Sequence, residues 1–526
     1  MRTGLAHIGA VTECSKSFAA SARSCESNRT TRAVVEAQTV RLIRLALLVG
    51  AVCLISQTRV DPDLWGHVLF GRDIVAQRAI PAVDPYSFTS DRLWINHEWL
   101  AEVLLFLAFS VAGSLGIVAL KTAVVTAALA LMSRVLNRAG LAPISHDRLI
   151  AIGLVVMIPR IQTARPQVFS VLLFALLLHS LIAADRGRSR WLLAVPIIMA
   201  VWANLHGGFI VGLGVLFLWL VVRSLQGGIA VSTGALFALG LLSIGATLLN
   251  PYGFGLWQFL WSTVGLSRPN IGDWQPMFSL PLVFSVPFVI AAGICVFMMF
   301  KAGSRLDWAY KLIIGVLFVG AMRVSRLDVF FGIAMVMLVA PALSRSENSS
   351  MRARIDSAVS SAFRYRPVFL VFATVIVLTG VSYGVRSGRC ITAPWAPESA
   401  TIDFFKTHAT RARVLTWFNW GEYAIWHLGP KLLVSMDGRR ETVYSEDFFD
   451  AHSRFYADGP DAAAFVRRLA PDFIWLPSDE AVVKTLAKDG WHPVFRGPIS
   501  TIVGRTSGPV LRDLHNSNID RCFPNP

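Results

Sequence analysis

Charge is what this chain has least of. Only 16% of its 526 residues are Asp, Glu, Lys or Arg, while 54% are hydrophobic. Soluble globular proteins carry about 25% charged residues, so a soluble fold is excluded for most of the length. Acidic residues are scarcer than basic ones, 33 against 49, which leaves a net charge of +16. That excess invites a nucleic-acid partner, yet no basic stripe with interleaved aromatics is present. The basic residues instead follow the loops between apolar runs, as topology control by positive residues requires. Residues 386–526 hold 17 basic and 16 acidic side chains and are close to neutral. Internal repeats are absent too, and ionisable groups are rare within the apolar runs, Lys121 being the main exception. Transporters built from repeated halves place such groups near the bilayer centre.

Long apolar runs are what the chain does have. Many approach or exceed the roughly 18 residues that mark a membrane span, and mean hydropathy is +0.55. The expected fold class is an α-helical polytopic membrane protein of about eleven spans, reached by placing basic loops inside. The spans are expected at 42–57, 115–135, 148–163, 166–184, 191–205, 207–223, 230–249, 281–300, 308–322, 328–343 and 367–385. Residues 1–40 read as a disordered cytoplasmic tail without a cleavable signal peptide, and 41–385 as the transmembrane domain. Residues 99–113 end at Gly113 and, read as a span, would put a basic loop outside. They are therefore expected as a helix in the outer interface, within a first external loop 58–114. An odd span count puts the N-terminus in the cytoplasm and residues 386–526 outside.

That tail segment mixes signals. "DAAAFVRRL" reads as a helix, "PDFIWLP" as a buried strand, and "HPVFRG" with "STIVGRT" as a closing pair of strands. The expectation is a small extracytoplasmic α/β domain. Cys390 and Cys522 lie near its two ends and are candidates to pair in an oxidising compartment.

Four groups can carry chemistry. The first external loop concentrates acids: Asp61, Asp63, Asp73, Asp84, Asp91, Glu98 and Glu102, with His67 and His97. Asp73, Asp91 and Glu102 suit helix caps and solvated turns. Asp61 and Asp63 sit beside the end of a span, next to Trp65 and His67, where a carboxylate is partly withdrawn from water and can accept a proton. Arg160 and Arg165 fall between spans three and four, and Arg323 and Arg326 between spans nine and ten. They break the positive-inside pattern, so they serve either phosphate binding or anchoring and internal ion pairs, for example with Asp328. "WANLHGGF" is a tight turn in which His206 is a ligand, a base or a packed residue. Tyr252, Trp257, Trp261 and Trp274 are interfacial anchors or surfaces for sugar rings. In the tail domain, "DGRRE" is a polar patch or a turn with ion pairs.

Carboxylates, arginines and aromatics at one membrane face suit transfer of a sugar from a lipid phosphate. The motif "DPDLWGH" after the first span, then "RAIPAVDPYSFTSDRLWINHEWLAE" and a short interface helix, resembles the GT-C class of integral-membrane glycosyltransferases. The chain is similar to bacterial members akin to the protein O-mannosyltransferase and aminoarabinose-transferase groups. "WANLHGGF", "LNPYG" and "NWGEYAIWHLGPKLLVSMDGR" look like patterns of uncharacterised bacterial proteins of that group. The Asp-Pro-Asp spacing departs from the plain Asp-Asp or Asp-Glu pair of some members.

The resemblance implies Asp61 or Asp63 as the catalytic base and Glu98 as the second acidic position. Arg160, Arg165, Arg323 or Arg326 would hold the donor phosphate. His67, His97, His206 and Trp65 would be accessory or acceptor-side residues. The cluster of Asp61, Asp63 and His97 admits a divalent metal ion without requiring one. The implied partners are a polyprenyl-phosphate sugar, membrane lipids and an envelope glycan, lipid or protein acceptor. The implied place is the bacterial inner membrane, and nucleic acid is not among the partners. A transporter or a non-catalytic envelope assembly protein stands as the alternative.

Overall fold

The computed structural model describes residues 48–141, 143–227, 230–264, 268, 272–346, 390–506, 509–513 and 521–525. The expected tail 1–40, span eleven and most of the loop 344–366 lie outside the described residues. So does the start of span one, of which residues 48–56 are helical. Residues 55–346 and 382–526 form one compact unit.

Helix α1 (Leu64–Gln77) lies within the first loop. Helix α2 (Trp99–Ala139) follows, and it is broken where the sequence suggested. Ala112 has φ −146°, and Gly113 has φ 57° with ψ −143°, a conformation that only glycine adopts without strain. The segment 99–111 is thus separated from the apolar run after Gly113. Helices α3 (Pro143–Ile161), α4 (Gln167–Asp185), α5 (Ala194–Leu205), α6 (Phe209–Gln226) and α7 (Thr233–Thr247) come next. Then follow α8 (Gly255–Val264), α9 (Leu282–Ala302), α10 (Trp308–Arg323) and α11 (Asp328–Ala334), the last continuing irregularly to Ser346. A helix coincides with each of the expected spans two to ten.

Among the described residues, five helical segments are long and apolar enough to cross a membrane: Trp99–Ala139, Gln167–Asp185, Phe209–Gln226, Leu282–Arg305 and Ser325–Leu343. Ser189–Leu205 and Thr233–Thr247 are apolar but shorter. Large apolar side chains remain exposed along them, such as Phe237, Leu241, Phe297 and Phe300. In water such a surface would drive association; against lipid it is the expected outer face of a bundle. The chain is a multi-pass membrane protein.

Successive helices alternate in direction, so the bundle has two ends. One end gathers the Ile161–Gln167 and Leu205–Phe209 connections and the junction of α10 with α11. The other is tied by Arg223, which donates from Nε and Nη2 to Asp185 (2.8 Å each) and from Nη1 to Asp307 (2.9 Å). Trp219 and Tyr310 also donate to Asp185. This network joins α4, α6 and α10 with every charge paired.

After the bundle, residues 390–525 form the expected α/β domain. A mixed sheet runs β3 (Leu432–Val434), β2 (Ala412–Thr416), β4 (Phe473–Pro477), β6 (Ser500–Gly504), β5 (His492–Arg496), β7 (Leu511–Arg512). Strand β2 is parallel to both β3 and β4, and β6 is antiparallel to both β4 and β5. Helices α12 (Ser399–His408), α13 (Gly421–Leu428), α14 (Glu446–Tyr456) and α15 (Ala462–Leu469) complete it. Alternating burial places Val414, Trp475 and Ile502 in one core and Leu415, Ile474 and Val503 in another. Strands β1 (Ile391–Thr392) and β8 (Cys522–Phe523) pair beside a Cys390–Cys522 disulfide.

The domain is fused to the first loop rather than hung from the bundle. Val434 N–H donates to Tyr86 O and Phe88 N–H to Val434 O, extending β3 with loop backbone. Ser445 donates twice to Asp91. Arg439 is buried between Asp84 and Asp437 (2.6 Å each) and under the faces of Phe70, Tyr86 and Trp94. "DGRRE" is therefore an internal ion-pair network at Arg439.

Arg223→Ala should cost about 3–5 kcal/mol, because it leaves the half-buried Asp185 without a counter-charge, held by Trp219 and Tyr310 alone. Thermal unfolding of the protein in detergent, followed by circular dichroism, checks this; an unchanged midpoint would show that the tie is not structural.

Candidate functional site

The acidic motif makes its own turn. Asp61 Oδ1 accepts from Asp63 N–H (3.1 Å), and Asp61 O accepts from Leu64 N–H (3.0 Å). This aspartate turn starts α1 and aims both carboxylates the same way. They meet Arg165, from the connection between α3 and α4. Its Nε lies 2.6 Å from Asp61 Oδ2 and its Nη2 3.1 Å from Asp63 Oδ2. Its Nη1 is 3.5 Å from Asp273. Opposite charges surrounding Arg165 outweigh its burial and hold its guanidinium firmly protonated. Burial first, then repulsion from Asp61, pushes the Asp63 carboxyl up to about 7, against the pull of Arg165 and His67.

A second cluster lies on the same cavity. Glu98 precedes α2 and has His97 Nε2 at 3.6 Å and His206 Nε2 at 3.7 Å. Burial alone would raise its pKa, but positive charge from His97, His67 and Arg326 holds it below the usual carboxylate range. Burial pushes the His206 imidazole down to about 3, so the ring is neutral. Gly208 N–H donates to His206 Nδ1 (3.0 Å), which leaves the ring proton on Nε2, facing Glu98. His67 Nδ1 is 3.4 Å from Glu102. Despite burial, Glu102 and Glu98 raise the His67 pKa.

Asp61, Asp63, Glu98, His67, His97, His206, Arg165 and Arg326 all line one cavity of about 1070 Å³. Three expected residues do not. Trp65 is fully buried, packed edge-on against Trp395, Tyr423 and Phe523, and serves the junction between loop and domain. Arg160 is consumed by Asp328 (3.0 and 3.1 Å) and Asp273 (2.5 Å), the internal ion-pair alternative. Arg323 is exposed at the end of α10, away from the lining.

The arginines thus divide by what compensates them. Arg326 forms no ion pair with a described carboxylate. Its Nη2 lies 3.3 Å from His206 Nε2, and its guanidinium sits 4.9 Å from the centre of the Trp274 ring. Arg268 covers Trp274 as well, at 4.1 Å, and pairs with Glu441 (2.6 Å). Trp274 therefore holds cations within the cavity. Tyr252 and Trp257 serve hydrogen bonds to Asn96 N–H and Thr247, while Trp261 is exposed.

Sequence reasoning missed Glu422, Asp273 and Arg268. Glu422 belongs to "NWGEY", which did stand out as a pattern. Nothing in the spacing could bring the other two to Arg165 or Trp274. Around the aspartates, no group of three or more His, Cys, Asp or Glu is arranged to hold a metal ion among the described residues. The guanidinium of Arg165 occupies the position between the two carboxylates where a cation would bind.

The helical bundle, the acidic first loop and the α/β domain together resemble two solved structures in fold. The chain is similar in fold to the oligosaccharyltransferase of Archaeoglobus fulgidus in the apo form. The TM-score is 0.55 at 10% identity, over 90% of this chain and 75% of that one. It is similar also to ArnT of Cupriavidus metallidurans bound to undecaprenyl phosphate, with a TM-score of 0.52 at 13% identity, over 90% and 99% of the two chains. At such identities the likeness is one of fold. No protein-family model and no curated protein matches the sequence.

Gly438 sits where a Cβ would come 2.0 Å from Asp63 Oδ1. Gly438→Ala should push that carboxyl by about 1.5 Å to reach ordinary contact, while the domain stays folded. A structure of the variant checks this; an Asp63 that stays in place, with the backbone at position 438 unshifted, would refute the close approach.

Proposed function

We propose that the protein transfers a sugar from a polyprenyl-phosphate donor to an envelope glycan, lipid or protein acceptor at the outer face of the bacterial inner membrane. One observation carries this reading. The carboxylates that follow the opening helix share a cavity with cations from distant connections, at a single end of the bundle. A transporter would need ionisable groups along a path through the bundle. Here the basic segments 133–141, 185–190 and 301–305 lie toward the end opposite the cavity, and the positive-inside rule supports an outward-facing cavity. Undecaprenyl phosphate bound to ArnT supports a lipid phosphate of the same class.

The chemistry follows from the charges. Arg326, lacking a carboxylate, takes the donor phosphate, with Arg165 adjacent. An acceptor hydroxyl attacks the anomeric carbon as Asp63 or Asp61 removes its proton. The new C–O bond forms as the bond to phosphate oxygen breaks, and the phosphate leaves with the electron pair, stabilised by guanidinium. Direct displacement inverts the anomeric centre. Glu98, with neutral His206 and His97, orients the acceptor. Cationic charge between the aspartates comes from Arg165, so no step is routed through a metal.

Purified protein in lipid nanodiscs, given polyprenyl-phosphate sugars, should release polyprenyl phosphate. Asp61→Asn and Asp63→Asn should lower turnover at least about 100-fold while leaving the fold intact. A non-catalytic assembly protein would give no product with any donor. Arg326→Ala should weaken binding of undecaprenyl phosphate itself, whereas Arg323→Ala should not. With Asp63 as base, the rate rises with pH through about 7 and is lost on the acid side, where the carboxyl is protonated. Chelation by EDTA should leave the rate unchanged; a loss restored by Mn²⁺ would assign Arg165's role to a metal.

A further inference from the structure

Helix α1 begins at the acidic motif, and its N-terminus is completed from elsewhere in the chain. Asp63 is the capping residue, yet its side chain makes no capping bond. Gly66, the third helical residue, has one of the orphan N–H groups of a helix start. It donates to Glu422 Oε2 at 3.1 Å, from a residue 356 positions away in the α/β domain. A Cβ at Gly66 would sit 2.1 Å from that oxygen. Reciprocally, the space beside Gly438 is filled by Asp63 Oδ1, and Glu422 Oε1 lies 3.0 Å from the same point. Two glycines thus let two carboxyl groups from different parts of the chain approach each other. Both glycine contacts fix orientation, because neither carboxyl can rotate away without losing the Gly66 bond or meeting the Asp437–Gly438 turn.

We propose that Glu422 is a positioning residue for Asp63, capping α1 from the α/β domain and so holding in place the carboxylate that takes the acceptor's proton. The inference rests on the sugar-transfer reading for its chemical consequence but on geometry alone for the coupling. Glu422 is buried, and burial and then Asp63 are the leading causes that raise its pKa. The groups facing the pair are Asp61 and His67 beside α1, Arg165 from the α3–α4 connection, Glu102 from α2, and Asp437 with Arg439 from the domain. Carboxyl groups this close titrate as a pair, the first proton leaving more readily than the second. Removing the charge at residue 63 therefore lowers the pH at which Glu422 loses its proton.

The test is an infrared pH titration of carboxyl bands in the full reconstituted chain, with Asp63→Asn assigning the Asp63 band. The wild type should show a two-step titration. Asp63→Asn should move the Glu422 midpoint down by about one pH unit, while Glu422→Gln keeps an acceptor for Gly66 N–H and should retain most of the kcat that Glu422→Ala loses. Glu422→Ala loses the cap as well and should lower kcat about 10-fold at unchanged KM. A single-step carboxyl titration in the wild type overturns the proposal without any variant. So does a Glu422 midpoint unmoved in Asp63→Asn. Wild-type protein inactive with every donor, but with the coupled titration present, would sink the transferase reading and leave the coupling standing.

Discussion

Two carboxylates two residues apart cannot both leave water unless a cation comes between them, and Arg165 is that cation. Its contacts with Asp61 and Asp63 join the first loop to the α3–α4 connection, and Asp273 extends the cluster to the loop before α9. Arg160 carries it on to Asp328 at the start of α11. Taking ions from water is expensive, and unpaired charge at this site would be far more so. The helix connections at one end of the bundle are therefore held in place by mutual compensation of charge. The Arg223 network does the same at the other end, where Asp185 and Asp307 close upon one guanidinium.

Compensation also sorts the arginines by task. Arg160 and Arg439 are each held by two carboxylates and have nothing left for a ligand. Arg165 faces the cavity but is surrounded by acids. Arg326 is half-buried against a neutral histidine and an indole face, which supply little negative charge. The proposed phosphate role falls to Arg326 because no described carboxylate pairs with it.

The α/β domain is a wall of the cavity. It contributes backbone pairing to the first loop, an ion pair at Asp84, a cap on α1 and the glycine that Asp63 abuts. A domain that merely bound an acceptor could be tethered loosely. One that shapes the surroundings of a reactive carboxylate has to be rigid, and the sandwich of Arg439 among three aromatic rings supplies that rigidity.

Scarcity of charge and the length of the apolar runs determined the multi-pass class from the sequence alone, because lipid tolerates little else. The break at Gly113 was legible for a related reason: a glycine ending a run too short to cross marks a change of direction. Helices and strands of the α/β domain were legible where period and turn residues agreed, as at "DAAAFVRRL" and "PDFIWLP". The acids of the first loop and the arginines at the helix connections were visible as anomalies. Which arginine is compensated was not, because an ion pair depends on which connections the bundle brings together, and residues 160 and 328 are far apart in sequence. Trp65 looked like a neighbour of the site because it adjoins Asp63, but helical geometry turned it into the core. Glu422 is the clearest case: a carboxylate in the α/β domain becomes part of the cavity only because the fold sets it against Gly66. Composition and periodicity report what each segment must bury. Tertiary packing alone decides which charges meet.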